Sequence, residues 1–339
     1  MTSSHRIAIT DESSAGEARR HLAGICGEAR MDETMTGRAA IVCMEMARNM
    51  VRHAGGGSMI LRQVTEGGGT GVELLAVDGG RGMDDVARCL RDGHSTGGTS
   101  GTGLGAIQRL SNRFDIYSQP GKGTAVRSLV CGSTSCAHPS PAPVGFEVGG
   151  ISVALQGEMV CGDAWDALPS VDGKCLRLMV ADGLGHGAFA EQAARAAVQT
   201  FHKHPASPPA EMLDHMHHAL LGTRGAAASM LEIKPSMLQV TGAGVGNVAM
   251  RLVTGSVTKT LISDNGTLGA NVRRMQEFSQ PWTAGTVVVM HSDGLGTQWN
   301  LADYPGLSHR HPSLVAAILY RDFHRIRDDV TVVVIRYHA

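Results

Sequence analysis

The stretch MEMARNMVRHAGGG, residues 44–57, decides the reading of the first third of the chain. It closes a helical pattern that begins near Thr36 and runs to Ala54, and Gly55-Gly56-Gly57 stops that pattern as glycine does past a helix end. Glu45 and Asn49 lie four residues apart within it and project from one face, with His53 a turn further along the same stripe. Upstream, a short strand at Arg6–Thr10 and a helix over about 14–30 are expected. Downstream, SMILRQVT (58–65) and GVELLAV (71–77) read as two strands around the glycine-rich EGGGT, a hairpin signal. A helix at about 104–111 then leads into FDIYSQ and TAVRSLV, joined by Pro120-Gly121-Lys122-Gly123. Helices followed by an antiparallel sheet make an α/β two-layer sandwich.

The whole chain has 339 residues, near twice the ~150 of a typical domain, which predicts two compact units. The boundary falls in CGSTSCAHPSPAPVG, residues 131–145, where three prolines and small polar residues suit an exposed linker. This assigns residues 1–130 to the first domain and 146–339 to the second. In the second, strands are expected at 147–155, 175–181, 227–233, 237–242, 248–253, 256–262, 285–291 and 330–336. Helices are expected over about 188–203, 209–221 and 312–326. That order indicates an α+β domain with antiparallel β-sheets flanked by helices.

Composition excludes several classes of function. Thirty Lys and Arg against 31 Asp and Glu give a net charge of −1, and the balance stays even in both halves, so no nucleic acid footprint is present. The longest aliphatic runs, such as Val287–Met290, fall far short of the ~20 residues a membrane helix needs, and the first residues lack an apolar signal core. A cytoplasmic protein without a membrane partner is expected. The seven cysteines are scattered with no Cys-x-x-Cys, which reads as free thiols in a reducing compartment. Forty-four glycines, sixteen of them between Gly55 and Gly105, call for a structural reason beyond flexibility.

The order of motifs supplies one. Glu45-x3-Asn49 precedes Asp78-x-Gly80-x-Gly82 at a strand end, then Gly101-x-Gly103-x-Gly105 opening a helix, then Gly123-Thr124 in the last hairpin. A carboxylate and an amide on one helix face can hold a hydroxyl beside a magnesium ion, and an aspartate at a strand end can accept from an exocyclic amine. Glycines at a helix N-terminus leave backbone N–H groups open to phosphate. The series resembles the GHKL ATPase family (the Bergerat fold), and within it the switch serine kinases of bacterial stressosomes. The resemblance implies ATP with Mg2+ as cofactor. It implies Asp78 on adenine with Gly80, Gly82 and Thr124 around it, and Gly101, Gly103 and Gly105 around the phosphates. It further implies Asn49 on magnesium and Glu45 as the catalytic general base.

In the second domain LMVADGLGHG (178–187) and VVMHSDGLGTQ (288–298) repeat one another, each placing Asp-Gly-Leu-Gly at the end of an apolar strand. Cys161-Gly162-Asp163 precedes the first, and Asp328-Asp329 precedes the terminal strand. Carboxylates gathered at strand ends suit hard dications, which offset their mutual repulsion. The set resembles the SpoIIE-like branch of the metal-dependent type 2C serine/threonine phosphatases. The resemblance implies two Mn2+ or Mg2+ ions held by Asp163, Asp182, the Gly183 carbonyl, Asp293 and Asp328, with Asp329 as the alternative to Asp328. It implies metal-assisted hydrolysis, and leaves open whether Asn247, in TGAGVGNV, contacts substrate.

Together the two resemblances imply a bifunctional regulator that phosphorylates and dephosphorylates serine or threonine on a STAS-domain anti-sigma antagonist or a stressosome scaffold protein, in a partner-switching pathway. A sigma factor or a downstream phosphatase is an alternative partner. The competing reading is an ATP-dependent binding module without kinase activity, fused to an active phosphatase that it gates.

Overall fold

The computed structural model describes residues 4–66, 69–91, 103–132, 145–170, 172–283 and 285–338. The chain folds as two units, one formed by 2–140 with 309–321 and the other by 141–308 with 322–339.

In the first unit β1 (His5–Ile9), α1 (Glu12–Glu28) and α2 (Glu33–Ala54) precede the hairpin β2 (Gly57–Glu66) and β3 (Gly69–Asp78). A short α3 (Val86–Cys89), α4 (Gly103–Leu110), β4 (Arg113–Gln119) and β5 (Gly123–Cys131) follow. The strands form one antiparallel sheet in the order β1-β2-β3-β5-β4. Both long helices start at aspartates that accept a backbone N–H three residues on, Asp11 from Ser14 and Asp32 from Met35. α2 ends at Gly55, whose φ of 71° is left-handed. Its stripe Val42, Cys43, Met46, Ala47 and Met50 is buried against Met59, Leu61, Leu74, Ala76 and Val126 of the sheet. Sheet positions of the other parity carry a buried ionic triad: Glu73 accepts from Arg62 at 2.6 Å and from Arg127 at 2.5 Å. Burial pushes the Glu73 carboxyl up, but the two guanidinium groups more than offset it and hold it well below the usual range.

The C-terminal helix α7 (Pro312–Phe323) contributes most of its length to this same unit. There Arg62 Nη2 donates to Ser313 Oγ at 3.1 Å, and Asp115 accepts the backbone N–H of His311 at 2.7 Å.

The second unit is a two-sheet sandwich. One sheet has the order β15-β10-β9-β8-β7, built from β7 (Asp163–Pro169), β8 (Leu176–Gly183), β9 (Ala226–Lys234), β10 (Gln239–Val245) and β15 (Phe278–Pro281). The other has the order β12-β11-β16-β17-β6, from β6 (Gly145–Val153), β11 (Ala249–Thr254), β12 (Val257–Leu261), β16 (Val287–His291) and β17 (Val330–His338). A two-stranded ribbon, β13 (Gly266–Thr267) and β14 (Asn271–Val272), accompanies them. Val180, Leu231, Val240, Met250, Met290 and Val333 belong to the core between the sheets. Helices α5 (Ala188–Lys203) and α6 (Pro209–Ala219) cover the first sheet through Ala194, Ala197, Phe201, Met212 and Met216. Strand β7 was absent from the expected elements: DAWDALP carries two aspartates and no clean alternation, so its strand character comes from pairing with β8. Among the described residues, no helix is long and apolar enough to cross a membrane.

Two candidate active sites

The first candidate site gathers at the C-terminal half of α2. Arg48 Nη1 donates to Glu45 Oε1 at 2.8 Å, leaving Oε2 to face the start of α4. A methyl group on Gly103 would lie 3.2 Å from Glu45 Oε2 and 3.5 Å from Asn49 Oδ1, so the backbone at the start of α4 closely faces both side chains. Asn49 Nδ2 is buried with no hydrogen-bond partner, an orphan that a ligand would satisfy. Asp78, at the end of β3, accepts from the Gly80 N–H at 2.9 Å and the Thr124 N–H at 3.2 Å through one oxygen. Burial pushes its carboxyl up, while those two N–H groups draw it down. Gly82 packs against the Gln119 carbonyl with no space for a side chain. Thr124 Oγ1 meets Ser118 Oγ at 2.9 Å, and Gly105 is buried within α4. Arg321 Nη1, from the same unit, donates to the Asp78 carbonyl at 2.9 Å. Gly101 lies outside the described residues. The unpartnered Asn49 Nδ2 can donate to a phosphate oxygen and the Oδ1 of the same amide is an oxygen ligand of the kind Mg2+ takes, so the cradle fits a magnesium nucleotide.

The second candidate site lies where β7, β8, β16 and β17 end. Asp163 and Asp182 are register partners across β7 and β8. Asp163 is 3% exposed and its Oδ2 is buried without a partner. Burial first, and then the neighbouring Asp182, pushes its carboxyl well up. Asp182 is pushed up to about 7 by burial and by Asp293 and Asp328. Asp328 is raised by burial and by Asp293, so these carboxylates act on one another electrostatically. Asn247 Nδ2 donates to Asp293 Oδ2 at 2.5 Å. Asp329 has different work: Oδ1 accepts from the Leu155 N–H at 2.7 Å and Oδ2 from the Gly162 N–H at 2.9 Å. It ties the 155–162 segment to the start of β17.

The repeated Asp-Gly has a steric origin. A side chain on Gly183 would enter the Ala190 backbone, and one on Gly294 would enter the Asp329 carbonyl. Among the described residues, no three His, Cys, Asp or Glu donors close around a single point. The fit to a dication rests instead on the unpartnered Asp163 Oδ2 and the all-oxygen donor set. The six described cysteines are free, and burial raises the thiols of Cys43, to about 12, and Cys161.

Residues 9–128 match the family model of the histidine kinase-like ATPase domain, and residues 172–338 match that of stage II sporulation protein E (SpoIIE). The chain is 32% identical over 115 residues to the serine/threonine-protein kinase RsbT of Bacillus subtilis (strain 168), a span covering 34% of this chain and 84% of that kinase. The chain is a fusion of the histidine kinase-like ATPase and SpoIIE families. To the phosphoserine phosphatase RsbX of the same organism it is 28% identical over 141 residues, 41% of this chain and 70% of that protein. The structure of RsbX in complex with magnesium shares the fold of the SpoIIE half, with a TM-score of 0.51 and 21% identity over 58% of this chain and 98% of that one. A chain solved in work on the bacterial stressosome, described as a modular system adapted to control secondary messenger signaling, has a TM-score of 0.52 and 27% identity. It covers 56% of this chain and 99% of that one. The ATPase half thus carries the glycine cradle, and the SpoIIE half carries the carboxylate row.

Two features of the sites had no sequence signal. Asp329 as an anchor is visible only through its backbone donors, and the buried amide of Asn49 only through its lack of one.

Proposed function

We propose that the chain is a bifunctional signalling enzyme, a serine kinase over residues 1–130 and a metal-dependent phosphoserine phosphatase over residues 146–339. Its substrates would be STAS-domain antagonists or stressosome scaffold proteins of a partner-switching pathway. The observation that carries this reading is the coexistence on one chain of the Glu45–Asn49–Gly103 cradle and the Asp163–Asp182–Asp293–Asp328 row, each with a buried polar atom left unpartnered.

In the kinase half Asp78 reads the adenine amine, Asn49 holds the Mg2+ of ATP, and the N–H groups at the start of α4 receive the phosphates. Glu45 accepts the proton of the partner's serine hydroxyl as its oxygen bonds to the γ-phosphorus and ADP departs. In the phosphatase half, Mg2+ or Mn2+ supplies Lewis acidity and a water of lowered pKa when bound. Asp163, Asp182, Asp293, Asp328 and the Gly183 carbonyl hold the ions, while Asn247 orients Asp293 through its hydrogen bond. The likeness to RsbT and RsbX supports the pairing of opposed activities.

Incubation of the intact chain with ATP, Mg2+ and purified STAS-domain proteins tests the kinase half. Phosphoserine in a partner is the expected product. Its absence in every candidate, including with Asp182→Asn to prevent reversal, would leave an ATP-dependent binding module. Mn2+-dependent hydrolysis of a phosphoserine peptide tests the other half.

A further inference from the structure

An arginine stands beside the loop that follows Asp182 and, among the described residues, has no carboxylate paired with it. Strands β8 and β9 pair antiparallel with Gly183 opposite Ala226. Beyond the strands the Leu184 N–H still donates to the Gly225 carbonyl at 2.9 Å, which brings Arg224 beside Gly185. Arg224 Nη1 sits 3.2 Å from where a Cβ on Gly185 would stand, directly over the Asp-Gly-Leu-Gly loop. The backbone beneath it is tied down: Thr223 Oγ1 donates to the Leu220 carbonyl at 2.7 Å and accepts the Gly225 N–H at 3.0 Å.

The guanidinium stands over an aromatic ring. Arg224 Cζ is 4.9 Å from the ring centroid of Phe189, in the first turn of α5. Phe189 is 62% exposed, so its ring face is open to the guanidinium. A cation–π contact of this kind holds the guanidinium without spending its N–H donors. The loop that Arg224 overhangs begins with the candidate ligand Asp182, three residues before Gly185, and among the described residues Arg224 forms no ion pair. A phosphate dianion approaching a carboxylate row needs a cation with free, oriented donors, and a planar fork matches its oxygens in pairs.

We propose that Arg224, held on the Phe189 ring, is the phosphate-docking residue of the hydrolase site. It binds the phosphoryl oxygens of a phosphoserine substrate and retains inorganic phosphate after cleavage. This role rests on the phosphatase reading. It makes Arg224 a binding residue that leaves the metal ions to the aspartates.

The test uses the full chain and three variants, Arg224→Ala, Arg224→Lys and Phe189→Leu. Two ligands are measured: a phosphoserine peptide by steady-state kinetics, and inorganic phosphate by calorimetry in Mg2+ buffer. Arg224→Ala should raise KM and the phosphate Kd by roughly 10- to 100-fold, the worth of hydrogen bonds to a charged group, with a smaller change in kcat. Arg224→Lys should recover part of the loss, since it keeps charge without the fork, and Phe189→Leu should weaken phosphate binding less than Arg224→Ala does. Mn2+ affinity should match the wild type in all three. An active wild type whose Arg224→Ala variant keeps KM and phosphate Kd within about twofold would overturn the docking role alone. A wild type that neither binds Mn2+ nor cleaves the peptide would overturn the hydrolase reading, and the docking role with it.

Discussion

In the proposed hydrolase site, Asp182 would carry much of the electrostatic cost of gathering carboxylates for a metal. With its folded pKa pushed up to about 7 from 3.8, the native state binds a proton that the unfolded chain has released between those values. The metal-free chain is therefore expected to lose roughly 2–4 kcal/mol of stability as pH rises through that window. Asp182→Asn should flatten this slope and raise the melting temperature at pH 8 without metal. The same variant should erase the Mn2+-induced rise in melting temperature and lower Mn2+-dependent hydrolysis ~10²-fold or more. Calorimetric scans from pH 5 to 8 with and without Mn2+ would measure both, and a variant that still gains stability from Mn2+ would remove Asp182 from the metal site. In the other half, Glu45→Gln keeps the shape of the site but accepts no proton. Phosphotransfer should fall by ~10²–10⁴-fold while ATP affinity changes little, as nucleotide titration would show. Residues of this kind stand out as candidates in the sequence because each sits in a recurring motif. Arg224 does not, since a lone arginine in a loop has no pattern to announce it.

At the scale of elements, the entry to β17 separates two adjacent aspartates that sequence could not tell apart. Asp329 accepts two backbone N–H groups from the 155–162 segment, whereas Asp328 interacts electrostatically with Asp293. Asp329→Ala should cost about 2–4 kcal/mol, from two hydrogen bonds to a charged acceptor, and Asp328→Ala should cost little stability. Asp328→Ala should lose Mn2+ binding outright, which denaturant melts and metal titrations would resolve. Equal destabilisation by both would contradict this division of roles. The longer helices and the hairpins of the first unit followed from residue patterns and glycine stops, whereas the four-residue α3 is too short to leave a pattern. Strand β7 did not follow either, because its two aspartates mask the alternation that pairing with β8 imposes. Nor did the allegiance of α7: Pro312 through Tyr320 are all buried, and a helix apolar on every side has no single face to assign it.

For the molecule as a whole, fusing the two proposed activities would make phosphorylation of a partner a steady state rather than a switch thrown once. Each half carries its own buried, unpartnered polar atom and its own close-packed glycines, and one substitution in either half is expected to silence that half alone. That independence makes the central claim open to one direct measurement. Phosphoserine stoichiometry on a STAS-domain partner would be followed by mass spectrometry in ATP, Mg2+ and Mn2+ with the wild type, Asp182→Asn and Glu45→Gln. The account predicts partial phosphorylation with the wild type, near-complete phosphorylation with Asp182→Asn, and none with Glu45→Gln, which should still strip a pre-phosphorylated partner. Identical stoichiometry with all three chains would contradict it.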